Sequence, residues 1–131
     1  MGFSLMHIYF RKFLLLAILT VPITLSVPAD TLFDGRFNTW EKKALAGDKR
    51  SQYKLGRSYL LGSQVKVNIN LAIKWLEKAA LQGHTKAAYR LGFIYYSNLD
   101  GTKNYAKALK WFGRAAKSNH AESQYYIALM Y

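Results

Sequence analysis

The sequence predicts an all-α fold, an α/α solenoid of about two and a half helical-hairpin repeats of 36 residues. The first observation is a repeated segment: residues 72–84 read AIKWLEKAALQGH, and 36 residues later residues 108–120 read ALKWFGRAAKSNH. The second is the spacing inside each copy, where apolar residues recur every three or four positions, as on one face of a helix. A fixed period of about 20 to 50 residues with helical spacing inside it is typical of stacked repeats.

The first 29 residues have the pattern of a secretory signal peptide. Two basic residues precede an apolar run, FLLLAILTVPITL at 13–25, and Val27 and Ala29 place small residues before a cleavage point. The run is shorter than the roughly 20 residues of a membrane-spanning helix, so we expect cleavage, with an uncleaved anchor as the alternative. We therefore expect the protein to be exported and to be periplasmic, envelope-associated or secreted.

Residues 30–47 predict a degenerate N-terminal capping helix. The stretch FNTWEKKALAGD at 37–48 resembles the second helix of a unit, but Trp40 lies one place out of register with the later tryptophans. A half-repeat of this kind suits the end of a stack, where a helix has a neighbour on one side only.

The array itself is predicted over residues 48–131, as units 48–83 and 84–119 and a partial unit 120–131. Each unit contains a first helix, helix A, and a second, helix B, and the residues repeated at equal positions form their apolar stripes or turns. In the first unit these structural residues are Tyr53, Leu55, Gly56, Tyr59, Ala72, Trp75, Ala79, Ala80 and Gly83. In the second they are Tyr89, Leu91, Gly92, Tyr95, Ala108, Trp111, Ala115 and Ala116.

The sequence predicts a structural role for glycines at two kinds of position, inside helix A and at the end of helix B. Gly56 and Gly92 lie inside helix A, where glycine costs about 1 kcal/mol relative to alanine, so we expect a Trp-bearing helix B to approach closely there. Gly83 follows the last periodic residue of helix B, where a left-handed residue ends a helix, and Asn119 takes that position in the next unit.

These residues carry a resemblance to a known family. The stretch YRLGFIYYSNLDGTKNYAKALKWFGRAAKSNH resembles a unit of the Sel-like repeats (SLR), relatives of the tetratricopeptide repeats. The loops between helices A and B lack the usual glycine pattern of that family, since Asn98 stands where the first unit has Gly62. The resemblance implies an α-solenoid that serves as a scaffold or adaptor for other proteins and is not an enzyme.

The residues themselves supply no catalytic, metal or cofactor site. The chain has no cysteine, and of its seven carboxylates only Asp30 and Asp34 lie three or four residues apart. His84 and His120 occupy equivalent turns of successive units, about a helix-packing distance or more apart, which is too far for one metal ion. We interpret them as turn residues beside helix starts, and we expect no cofactor.

The leading functional hypothesis is protein binding on the surface of the helices A. Residues 30–131 keep 17 basic and 7 acidic side chains, a net charge of +10, so an acidic peptide or protein surface is the expected partner. The predicted partner-binding residues lie outside the core stripe, on two ladders of equivalent positions: Lys54, Arg90 and Tyr126, and beside them Arg57 and Phe93.

The alternative is a basic protein that binds an anionic cell-wall polymer or membrane headgroups, without a defined protein partner. Nucleic acid is not an expected partner, because no nucleic-acid-binding motif is present. The last stretch, SQYYIALMY at 123–131, predicts a helix A whose apolar residues have little to cover them. We expect the chain to self-associate through this C-terminal helix, or this end to fray, since exposed apolar patches often form interfaces.

Overall fold

The structure, a computed structural model, describes residues 35–131. The predicted signal peptide at 1–29 lies outside the described residues. Those residues form six α-helices and no strand, which confirms the all-α prediction. The helices are α1 (Arg36–Leu45), α2 (Lys49–Leu61), α3 (Ile69–Leu81), α4 (Thr85–Ser97), α5 (Tyr105–Ala116) and α6 (Ala121–Leu129). Within this part of the chain, no helix is both long and apolar enough to cross a membrane.

The helices pack as a solenoid of hairpins. The main contacts are within the hairpins α2–α3 and α4–α5, and consecutive units meet through α3 on α4 and α5 on α6. Helix α1 packs on α2, in the place of a preceding helix B. Helices α2, α4 and α6 are thus the helices A, and α1, α3 and α5 are the helices B.

Helix starts repeat at the 36-residue period. Asp48, His84 and His120 are the N-caps of the three helices A, and each side chain accepts a hydrogen bond from the backbone N–H three residues later. Asn68 and Asn104 cap α3 and α5 in the same way. These side chains satisfy backbone donors that have no partner within the helix, so the caps fix where each helix begins.

Helix ends repeat as well. Gly83 and Asn119 follow the helices B with positive φ angles of 82° and 56°. Gly62 and Asn98 end α2 and α4 in the left-handed region, at φ 69° and 63°. Asn98 therefore serves the same turn as Gly62, since asparagine tolerates this conformation better than other side chains.

The two helical glycines allow a close approach of helix B. A Cβ on Gly56 would lie 2.7 Å from Cγ of Leu76, and one on Gly92 would lie 2.5 Å from Cδ1 of Phe112. Helix B approaches here as predicted, but the residues in contact are those that follow the tryptophans. A leucine and a phenyl ring fill the space that a methyl group would need.

The core lies between the two layers of helices. Its main cluster is centred on α4 and α5, with Leu91, Ile94 and Phe112 fully buried, and a smaller cluster joins Ala44, Leu55 and Trp75. Trp75 and Trp111 are 8% and 6% exposed. Among the predicted structural residues, Tyr53, Tyr59, Tyr89 and Ala116 are half-buried and Gly83 is exposed, while the others are buried.

Helix α6 is held to the rest of the stack on one side. Ser123 is fully buried, and Tyr126, Ile127 and Met130 pack against the main cluster. On its other side Tyr125 and Leu129 are 60% and 54% exposed. The expectation of an uncovered apolar helix thus applies to one of its faces only.

Candidate binding groove

A groove of about 580 Å³ follows the helices A near their N-terminal ends. Helix α2 supplies most of its lining residues, and the turn before α4, the loop after α2 and Trp40 of α1 supply the others. Its main lining side chains are those of Trp40, Lys49, Arg50, Tyr53, Lys54, Arg57, His84 and Lys86.

The groove is strongly cationic. Lys49, Arg50, Lys54, Arg57 and Lys86 line it, and no carboxylate from residues 35–131 does. Within the same part of the chain none of these five cations lies within ion-pair distance of a carboxylate. Five like charges along one concave surface raise the local concentration of anions there, because the low-dielectric walls focus the field.

A second pocket of about 470 Å³ continues the groove along the stack. It shares Tyr53, Arg57 and Lys86 with the first pocket and adds Arg90 and a residue from the start of α6, Glu122. Glu122 introduces a carboxylate, and its Oε2 lies 3.5 Å from Nδ1 of His120. The cationic character is therefore concentrated in the first pocket.

Each pocket contains an N-cap histidine whose ring packs against a tyrosine of the preceding helix A, stacked in the first pair and tilted by 36° in the second. The His84 ring lies 4.3 Å from the Tyr53 ring, and the His120 ring lies 4.8 Å from the Tyr89 ring. Nδ1 of His84 accepts a hydrogen bond from the backbone N–H of Ala87 at 3.3 Å. This bond requires an imidazole without a proton on Nδ1.

The surroundings of His84 favour its neutral form. Burial lowers the pKa of His84 below its usual value, and the nearby charges of Lys49, Lys86 and Arg50 lower it further. Both effects disfavour the imidazolium, because it would be poorly solvated and would face like charges. At neutral pH the groove is therefore lined by a neutral histidine among permanent cations.

The predicted partner-binding residues divide into two groups. Lys54 and Arg57 line the first pocket, and Arg57 and Arg90 line the second. Arg90 is half-buried, and its Nε donates a hydrogen bond to the Tyr53 hydroxyl at 3.2 Å. These three predicted cations therefore lie along one continuous surface.

Phe93 and Tyr126, the two aromatic residues of the predicted ladders, line neither pocket. Both are half-buried and pack against the main core, with 5.9 Å between their ring centroids. Tyr126 also stacks on Phe112, with ring centroids 5.1 Å apart and planes 5° from parallel. Stacking on a buried phenyl ring removes more apolar surface from water than exposure on a groove, so these two aromatic residues stabilise the stack.

Among the basic side chains that line the first pocket, four are not among the predicted partner-binding residues: Lys49, Arg50, His84 and Lys86. Arg50 and Lys86 occupy equivalent positions of successive units, so the 36-residue repeat contains a signal for them. The predicted ladders run through the middle of each helix A and leave out its first turn. The first turn of α2 and the first turn of α4 also face the groove.

The part of the chain that the structure describes offers no candidate metal site. Residues 35–131 contain no group of three histidine, cysteine or carboxylate side chains that could hold a metal ion. The groove instead offers positive charge and aromatic walls. Such a surface can hold an extended anionic segment.

Comparisons with known proteins agree with this architecture. The family model described as the Sel1 repeat matches residues 49–84 and 85–120, which are the two complete hairpins. No curated protein sequence matches the chain closely enough to count as a relative.

Two solved structures are similar to this chain. One is c5321, a protective antigen of uropathogenic Escherichia coli strains with an SLR fold, at 31% identity and a TM-score of 0.68. The match covers 72% of this chain but 20% of that protein, so this chain spans about a fifth of its length. The other is a Sel1 repeat protein from Oxalobacter formigenes, at 30% identity and a TM-score of 0.66, covering 74% of this chain and 73% of that one.

Proposed function

The chain belongs to the Sel1 repeat family, whose members generally mediate protein–protein interaction, and from this we propose that it is a binding module that holds an acidic segment of a partner protein. The family is typically a non-catalytic scaffold, and we propose the same for this chain. The segment lies along the helices A, in the groove between the first turns of α2 and α4.

One observation carries the proposal: five cations, none with a carboxylate partner in residues 35–131, line a concave surface with aromatic walls. Trp40 and Tyr53 add half-buried aromatic side chains among the charges, so a segment of mixed acidic and apolar residues fits the groove better than a purely ionic ligand. Lys54 already lies over the Trp40 ring at 5.0 Å, which holds its charge at the groove wall. Cations held in place lose less side-chain entropy when a carboxylate binds.

Fluorescence anisotropy with a labelled acidic peptide tests the proposal, using about a dozen residues rich in aspartate and glutamate with one aromatic residue. The same peptide with asparagine and glutamine in place of the acids is the ligand control. The test variant carries Arg50→Gln and Lys86→Gln, which remove two equivalent groove cations. The control carries Lys74→Gln and Lys110→Gln, which are also equivalent positions but lie on the helices B.

We expect the groove variant to bind the acidic peptide at least about tenfold more weakly, since one charge-assisted hydrogen bond contributes roughly 1.5–3 kcal/mol. The helix B variant should bind nearly as well as the unaltered chain. An equal loss in both variants would mean that net charge, and not the groove, holds the peptide.

A second candidate function is adhesion to an anionic polymer or membrane surface. It is supported by the charge of residues 35–131, which contain 17 basic and 5 acidic side chains. Ionic strength separates the two candidates, because unspecific attraction between exposed charges fades over a Debye length of about 8 Å at physiological salt. Peptide binding with aromatic contacts should persist in part at high salt, and adhesion by charge alone should not.

We further propose that the protein acts after export, as a periplasmic, envelope-associated or secreted protein. The support is the signal-peptide pattern of residues 1–29. Self-association through the exposed face of α6 is proposed as well, since Tyr125, Leu129 and Tyr131 are exposed near the end of the stack.

A further inference from the structure

A line of five cations runs along α5 and its two ends. Lys107, Lys110 and Arg114 lie on the helix, Lys103 precedes it and Lys117 follows it. Their spacings of four, three, four and three residues keep successive cations on one side of a helix. All five are exposed, and the line is about 20 Å long at 1.5 Å per residue. None of them lines the groove formed by the helices A.

Aromatic rings hold four of these cations in place. Nζ of Lys103 lies 5.0 Å from the centroid of the Tyr105 ring, and Nζ of Lys107 lies 4.9 Å from that of Tyr95. The Trp111 ring carries Lys110 Nζ and Arg114 Cζ, each at 5.7 Å. The contacts hold these charges against the rings at the surface of the stack without neutralising them.

The repeat provides an internal control for what the fold itself requires. In the first unit the five equivalent positions are Val67, Leu71, Lys74, Lys78 and Leu81, so only two are cationic. Both units form the same hairpin, which means that the three additional cations of α5 are not needed for folding. Val67 and Leu81 are exposed, so apolar side chains accompany the cations on the layer of helices B.

Carboxylates near the line do not cancel it. Glu77 is half-buried on α3, and the Asp100 carboxylate accepts hydrogen bonds from the backbone N–H and hydroxyl of Thr102. Within the described chain neither lies within ion-pair distance of the five cations. Burial alone would raise the pKa of Asp100, but the hydrogen bonds from Thr102 and then the charge of Lys107 lower it, so this carboxylate balances part of the charge near Lys107. The five cations still outnumber the two carboxylates and form a positive strip on the layer of helices B.

We propose that this strip binds the anionic headgroups of a phospholipid membrane, with α5 lying along the membrane surface. A row of exposed cations along one helix contacts a flat surface along its length, whereas an extended peptide is better enclosed by the groove. Tyr105, the first residue of α5, and Leu99, in the loop between α4 and α5, are half-exposed, and Leu81 is exposed at the end of α3. Aromatic and apolar side chains beside a row of cations are typical of helices that lie in the membrane interface.

This surface is independent of the groove, so one chain would bind a membrane with one layer and a protein segment with the other. The expected strength follows from charge, because each lysine or arginine near an anionic surface strengthens adhesion by roughly fivefold at physiological salt. Three such cations together therefore change the partition coefficient by roughly 100-fold.

Vesicle co-sedimentation tests the inference. The vesicles contain phosphatidylcholine with about one third phosphatidylglycerol, and vesicles of pure phosphatidylcholine are the lipid control. The test variant carries Lys107→Gln, Lys110→Gln and Arg114→Gln. The control variant carries Lys49→Gln, Arg50→Gln and Lys86→Gln, which remove the same charge from the groove. Circular dichroism of both variants verifies that the exposed substitutions leave the helices folded.

We expect the unaltered chain to bind the anionic vesicles and not the neutral ones, and the α5 variant to lose roughly 100-fold in partition coefficient. The groove variant should lose much less, and the α5 variant should still bind the acidic peptide. Equal losses in the two variants, or no vesicle binding by the unaltered chain, would overturn the inference. If the chain binds soluble polyphosphate as tightly as it binds vesicles of equal phosphate content, the assignment to lipid would be overturned.

Discussion

The imidazole of His84 lies on the phenol ring of Tyr53, with 4.3 Å between the ring centroids and 20° between the ring planes. The next unit repeats the pair with His120 and Tyr89. In each case the histidine caps its own helix A and covers the tyrosine of the preceding helix A. One side chain thus serves both the start of a helix and the contact between repeats.

This relationship predicts that stability falls as the solution becomes acidic. The pKa of folded His84 is lowered, chiefly by burial, while the unfolded chain has the ordinary value of about 6.5. Below that value the unfolded state binds a proton more readily than the folded state. The contribution of His84 is therefore complete above about pH 6.5 and is lost as the pH falls through the folded-state pKa.

Melting temperatures measured between about pH 7 and pH 5 test this prediction. His84→Asn provides the matched variant, since asparagine also caps helices but does not titrate in this range. We expect the slope of melting temperature against pH to be smaller in the variant. An identical slope would show that His84 does not carry the effect. Asp48 titrates in a separate window at lower pH, because its pKa is lowered below 3.8, first by the side-chain hydrogen bond from Ser51.

Loss of a core tryptophan should remove much of the stability of this short stack. Trp111→Ala is expected to cost about 3 to 5 kcal/mol, because a large buried aromatic side chain leaves a cavity behind. Trp40 is half-buried, so Trp40→Ala should cost less. Urea denaturation, followed by the helical circular dichroism signal at about 220 nm, measures the stability of both variants. Equal costs would contradict the burial of Trp111.

Two glycine substitutions should have opposite effects. Gly92→Ala places a methyl group 2.5 Å from the Phe112 ring, and overpacking of this kind costs roughly 1 to 3 kcal/mol. A Cβ added to Gly113 in α5 would have open space around it, with no atom of the described chain within 4 Å. Gly113→Ala should therefore stabilise the chain by up to about 1 kcal/mol through helix propensity. Denaturation midpoints compare them directly, and stabilisation by both would mean that α4 and α5 can separate at little cost.

The exposed face of α6 predicts an effect on association without an effect on folding. Tyr125→Lys combined with Leu129→Lys should raise the monomer fraction in sedimentation velocity, because both side chains are exposed. Tyr126→Lys should instead lower the melting temperature, since this ring stacks on Phe112.

Truncation of residues 121–131 is a different experiment from these substitutions. It would uncover the Phe112 ring and remove the fully buried Ser123, so we expect it to destabilise the preceding unit as well. A double lysine variant that remains as associated as the unaltered chain would contradict self-association through α6.

The sequence alone determined the features that depend on local chemistry and on the 36-residue period. The hairpins, the left-handed turn at Gly83 and the buried stripe around Trp75 and Trp111 follow from spacing, because helix periodicity places residues on a face whatever the neighbours are. Asn98 departs from the glycine pattern of the family in sequence. Its φ of 63° shows that it replaces Gly62 in the same turn.

Only the tertiary structure decided which neighbours each repeated position meets. Tyr125 occupies the position of Tyr53 and Tyr89, yet it is 60% exposed, because within residues 35–131 no histidine of a following unit stacks on it. Tyr126 stands at the position of Arg90 and packs on Phe112. The last turns of α6 carry apolar residues on every side, so helix periodicity does not predict which face is buried. The buried face is the one that packs on the flat ring of Phe112 in the neighbouring helix.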